Sequence, residues 1–150
     1  MSLAKTQMRY HDFHLRGYTV AESGRKITLD LVYDYPGHSH ERSLIEFTDV
    51  ACYRFIHSEG AIITDISEEP LDALVKQEEA FLTATAAEQG LSFWTVNLET
   101  YCEQLTKERY RAWRIDSAVG FTGFVIAKQL NPKSANHALL ATPLRGAPEL

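Results

Sequence analysis

The chain of 150 residues carries 45% hydrophobic, 23% charged and 11% aromatic residues, with eight Gly and five Pro. A chain of this length suits one domain and buries roughly 68–70% of its unfolded surface, enough for a core without metal or disulfide staples. The apolar fraction excludes wholesale disorder, and the formal charge of −5 at pH 7 sets up a field that repels polyanions, against nucleic acid as the main partner.

The first residues, Met1-Ser2-Leu3-Ala4-Lys5-Thr6, carry no apolar signal region, so the expected compartment is the cytoplasm. Tyr10 to Val20 is weakly β-like, and Glu22-Ser23-Gly24-Arg25 supplies a turn. Lys26 to Tyr35 is the clearest strand. Ile27, Leu29, Leu31 and Tyr33 fall on one face against Lys26, Thr28, Asp30 and Asp34, with Val32 the exception. Pro36-Gly37 ends it. Ser43–Thr48, Val50–Ser58 and Ala61–Ile66 then read as consecutive antiparallel strands, because their connections are too short for parallel crossovers.

Pro70 suits the first turn of a helix, and Glu68, Glu69 and Asp72 suit its positive end. Leu71, Leu74, Val75, Phe81 and Leu82 form a helical stripe that Glu78 interrupts, and Gly90 is the stop. Trp94, Val96 and Leu98 alternate as in a strand, Tyr101–Leu105 fits either class, and Arg109–Asp116 reads as strand. Gly120-Phe121-Thr122-Gly123 lacks a phosphate-loop pattern and reads as a turn or bulge. Phe121–Leu130 is apolar on both faces, which predicts a central strand. The longest apolar runs, such as Phe124–Ala127, have four residues, against the ~20 a membrane helix needs. A polar, Pro-containing tail at 131–150 reads as linker-like, outside a single domain at 1–130. The expected fold is α+β: a mainly antiparallel sheet or open barrel of about seven to eight strands, with one amphipathic helix at about 69–89 packed on it.

Two stretches carry candidate chemistry. Asp34, His38, His40 and Glu41 surround the Pro36-Gly37 turn, and imidazoles with carboxylates suit a divalent metal. Only one ligand pair is present, however, so the plainer expectation is a solvated loop without a cofactor. Lys107, Arg109, Arg111 and Trp113 would share one face of a strand, where guanidiniums beside an indole suit an anionic ligand or an acidic partner. The plainer expectation is pairing with the 59–79 segment, which carries seven acids and one lysine. Cys52 and Cys102 sit among apolar or aromatic residues, which predicts inert thiols rather than nucleophiles.

No nucleophile elbow, Cys-x-x-Cys or His-Glu-x-x-His motif is present. The leading expectation is therefore a small acidic binding module, non-enzymatic, that recognises a protein partner or small-molecule ligand through a sheet face. An accessory or immunity-type protein covering a basic partner with its 59–79 surface is one version, and a homo-oligomer is compatible with it. The alternative is a small metal-dependent enzyme or metal-binding barrel built on His38, His40 and Glu41.

Overall fold

The computed structural model describes residues 6–7, 10–89 and 97–134. Its elements in chain order are β1 (Thr6–Gln7), β2 (His14–Ala21), a 3-10 turn (Glu22–Gly24), β3 (Lys26–Tyr33), β4 (Glu41–Thr48) and β5 (Cys52–Glu69). They continue with α1 (Leu71–Gln77), α2 (Glu79–Gln89), α3 (Leu98–Lys107), β6 (Arg111–Ala127) and β7 (Gln129–Ser134). The architecture is α+β, an open and mainly antiparallel sheet with helices on one side, and among the described residues no helix is long and apolar enough to cross a membrane.

The period-2 pattern of β3 does what its side chains require: Ile27, Leu29 and Leu31 are all fully buried. β3 pairs with β2 on one side (Val20↔Ile27) and with β4 on the other (Leu29↔Ile45). Among the described residues seven strands run in the order β1-β5-β2-β3-β4-β7, with β6 also on β5. β4 does not fold back on β5. It turns a corner into it, and the corner keeps its backbone groups paired through Val50 N to Arg25 O at 2.9 Å and Ala51 N to Ile126 O at 2.8 Å.

β5 and β6 form a long ribbon that slips in register between His57 and Asp65. Gly60 and Gly120, at φ 79° and 86°, supply the left-handed backbone for that bend, so the expected bulge at Gly120 is present. β2 meets β5 in register only at His14↔Ile62. Beyond that point the gap is filled by rings, with Tyr18 4.9 Å from Phe55 and 6.1 Å from Phe121.

Two apolar clusters sit on the two faces of this ribbon. The inner one joins Ile27, Leu29, Ile45, Phe47, Ile63, Trp113 and Val125; the outer one joins Leu74, Leu82, Tyr101 and Leu105 of the helices to Ala112, Phe124 and Ile126 of β6. β6 is apolar on both faces because helices cover its outer side. Among the described residues it pairs with β5 alone.

Three further expectations are corrected. The helix at about 69–89 is two helices, divided at Glu78 (φ −100°, ψ 18°) while the bonds Glu78 N to Leu74 O and Leu82 N to Glu78 O carry the apolar stripe across. A third helix, α3, occupies the stretch that fits either class. Asn97 caps it by accepting from Thr100 N at 2.7 Å, and Tyr101 and Leu105 bury its inner face. Asn131–Ser134, assigned to the tail, is strand β7 paired with β4. Pro132 is tolerated there because β7 is the end of the strand order and needs no second partner. The expected alternation at Trp94 and Val96 and the rest of the tail, 135–150, lie outside the described residues.

α3 ends in a reverse turn. Arg109 N donates to Thr106 O at 3.0 Å and Tyr110 N to Leu105 O at 2.9 Å, which puts Arg109 at φ 68°. A side chain in that region costs about 1–2 kcal/mol. Arg109→Gly is thus expected to raise the melting temperature by a few degrees, equivalent to about 1 kcal/mol. Calorimetry of the two proteins checks this, and a lower melting temperature would show that the arginine side chain contributes more than its backbone costs.

Candidate functional site

The site begins with one carboxylate. Glu78, at the α1–α2 junction and only 8% exposed, accepts from Arg54 of β5 through Oε1 (2.9 Å to Nη2, 3.2 Å to Nε). Its Oε2 accepts from Arg114 Nη1 of β6 at 2.6 Å. Arg114 also donates to Gln77 Oε1 at 2.8 Å and lies 3.8 Å from Glu69, while the Arg54 guanidinium covers the Phe81 ring at 5.5 Å. Glu78 thus ties the helical layer to both strands of the ribbon. The residue that breaks the apolar stripe in the sequence is the one that fixes where the stripe sits.

Burial raises the Glu78 carboxyl, but the hydrogen bonds from Arg114 and Arg54 overcome it and hold the group below its ordinary value of 4.5. The native state then binds fewer protons than the unfolded chain, so this stabilisation is complete above about pH 4.5 and is lost as pH falls through the lowered value. Glu78→Gln should cost about 3 kcal/mol at pH 7 by leaving two arginines undercompensated. The melting temperatures of the two proteins should converge on acidification towards pH 3. Thermal melts across that range provide the check, and parallel curves would contradict the assignment.

The basic row of the sequence is not assembled. Lys107 is in the last turn of α3 and Arg109 in the reverse turn after it, because the helix continues through the residues expected as strand. Arg111 and Trp113 do share a face, with the guanidinium over the indole at 5.0 Å. Arg111 is, however, held by Glu68 through two bonds (2.9 and 2.6 Å), and Trp113 is 2% exposed against Phe47. Pairing with the 59–79 segment is therefore what the structure contains, through Arg111 with Glu68, Arg114 with Glu69 and Glu78, and Arg54 with Glu78. Glu68, Glu69 and Glu78 are thereby taken up by arginines, while Asp72 and Glu79 of the same segment are exposed.

The histidine loop stays in water. Asp34, His38, His40 and Glu41 are all exposed, His40 Nδ1 lies 3.6 Å from Asp34 Oδ1, and the His38 ring stands edge-on to Tyr33. Among the described residues no three His, Cys, Asp or Glu side chains converge as metal ligands. Cys52 is half-buried beside the helices, where burial, and then the Glu78 carboxylate, push its thiol up to about 12. It fits the inert thiol expected. Cys102 is half-buried, its thiol also raised, by burial first and then by Asp72.

Reading α3 as a helix reveals a surface that the sequence concealed. A groove of about 790 Å³ runs between α1 and α3. Asp72, Val75, Lys76 and Glu79 line one wall, spaced three or four apart as one helical stripe. Leu98, Glu99, Cys102, Glu103, Thr106 and Lys107 line the other. Val75, Leu98 and Cys102 are buried or half-buried and make the floor, while Asp72, Lys76, Glu79, Glu99, Glu103, Thr106 and Lys107 are exposed along the rim. A smaller cavity of about 370 Å³ lies on the other side of α3, against Ala51, Tyr101, Leu105 and Tyr110.

No family model matches the chain, and no curated protein matches it. A crystal structure of an uncharacterized protein from Neisseria gonorrhoeae is similar at 13% sequence identity and a TM-score of 0.46, covering 87% of this chain and 97% of that one.

Proposed function

We propose that this chain is a non-catalytic, cytoplasmic binding module that docks a protein partner in the groove between α1 and α3. The observation that supports this reading is the groove itself: an apolar floor inside a charged rim, on the face of the molecule where helices are presented to solvent. The sheet face first expected to bind is occupied. Trp113 is buried in the inner core and Arg111 beside it is held by Glu68, while helices cover the opposite side of the β5–β6 ribbon.

A protein suits the groove better than a small molecule. Enclosed ligand pockets bury about 70–90% of their ligand, whereas seven of the ten residues lining this groove are exposed. Such a groove works as the apolar centre of a wider interface, with the rim excluding water around it. The net charge of −5 turns the choice away from nucleic acid.

A photo-crosslinking residue placed at Thr106, on the groove wall, should give one discrete protein adduct in cells of the source. The same residue at Thr19, exposed on β2, should give none. Adducts of equal yield from both positions, or none from Thr106, would contradict docking in the groove.

A further inference from the structure

The carboxylates of this domain divide into two sets. Glu68 and Glu69 of β5 and Glu78 at the α1–α2 junction each have an arginine within 4.0 Å. Asp72, Glu79, Glu99 and Glu103 face the groove, and among the described residues none of these four is in an ion pair. Arg54, Arg111 and Arg114 are used internally, and among the described residues Lys76 and Lys107 are the groove's only lining cations. The field at the floor is accordingly negative, and the Asp72 and Glu103 carboxylates add to burial in raising the Cys102 thiol.

The pattern on α3 specifies how an occupant must present itself. Leu98, Cys102 and Thr106 recur every fourth residue along the inner edge, and Glu99, Glu103 and Lys107 recur with the same spacing just outside them. Two helices flanking a groove accept a third whose ridges fit between them at interaxial distances of about 8–10 Å. An amphipathic helix with apolar residues at i, i+3, i+4 and i+7 would set them on Val75, Leu98 and Cys102. Its flanking positions would then face the unpaired carboxylates.

We infer that the occupant of the α1–α3 groove is a basic amphipathic helix of a partner protein, its apolar stripe on Val75, Leu98 and Cys102 and its Lys or Arg flanks against Asp72, Glu79, Glu99 and Glu103. This rests on the groove being a docking site and adds the chemistry of what docks there. Lysine or arginine side chains fit the flanks because their alkyl stems extend the apolar contact while their charged ends reach the rim. An acidic helix of the same shape would meet four like charges and be rejected.

The test uses the native full chain and its own thiols. Alkylation of Cys102 by iodoacetamide, followed by mass spectrometry, reports coverage of the floor, with Cys52, outside the groove and with its thiol pushed up to about 12, as internal reference. The probes are two synthetic amphipathic peptides of about 18 residues, ~27 Å as helices, identical in apolar pattern but with either Lys or Glu at every polar position. The Leu/Lys peptide should slow Cys102 alkylation about tenfold and the Leu/Glu peptide should not, and the preference should reverse in Glu99→Lys/Glu103→Lys, whose changes lie on the exposed face of α3. Equal protection by both peptides would overturn the basic occupant while leaving the groove as a docking site. Protection by neither, with Cys102 reactive, would overturn both. Cys102 as unreactive as Cys52 in the free protein would place this chain's own residues over the floor, and would also overturn both.

Discussion

The first two helices on the outer side of this sheet are placed by one carboxylate that two strands share. Hydrophobic burial explains why helices cover Ala112, Phe124 and Ile126, but apolar contact is tolerant of sliding. Glu78 is not. It must reach Arg54 on β5 and Arg114 on β6 together, from a junction where α1 ends and α2 begins. A buried ion pair adds little net stability over an apolar replacement of equal shape, and its better-attested use is to select one arrangement among several. Here the arrangement selected is the register of α1 and α2 on the ribbon.

The same pairing sorts the charges of the molecule. Arg54, Arg111 and Arg114 are drawn onto Glu68, Glu69 and Glu78, which leaves Asp72, Glu79, Glu99 and Glu103 without guanidinium partners among the described residues. Three of those acids also sit in first turns, Asp72 in α1, Glu79 in α2 and Glu99 in α3, where the helix dipole favours them. Local helix chemistry and the acidic rim of the groove therefore have a common origin. The apolar floor between the rims arises because α1 and α3 touch each other only along their inner faces, leaving Val75, Leu98 and Cys102 at the edge of contact.

The elements legible in the sequence are those whose pattern is local. The alternation in β3 gave its buried face residue by residue, Pro70 marked the start of α1, and the α+β class followed from one helical stretch between strand-rich halves. α3 had local signals too: a cap at Asn97 and apolar residues at 98, 101, 102 and 105. They were masked because the alternation in Arg111–Trp113 extends plausibly backwards through Arg109, whose left-handed backbone no side-chain pattern announces. β7 was hidden by Pro132, since position at a sheet edge is a property of the whole topology. The candidate site was least legible. Pairing of the basic row with the 59–79 segment could be expected from charge, though not that Glu68, 43 residues away, is the acid that takes Arg111, and a groove between two helices is invisible while one of them is read as a strand.

The most direct measurement of the helical clamp is hydrogen–deuterium exchange resolved by peptide in the native chain and in Glu78→Gln. The expected result is faster exchange in α1 and α2 with β3 and β4 unchanged, because the inner core around Ile27, Leu29 and Phe47 does not depend on the helices. Helices that keep their native protection, or a uniform acceleration that includes β3 and β4, would contradict the placement of the helical layer, and with it the groove, by Glu78.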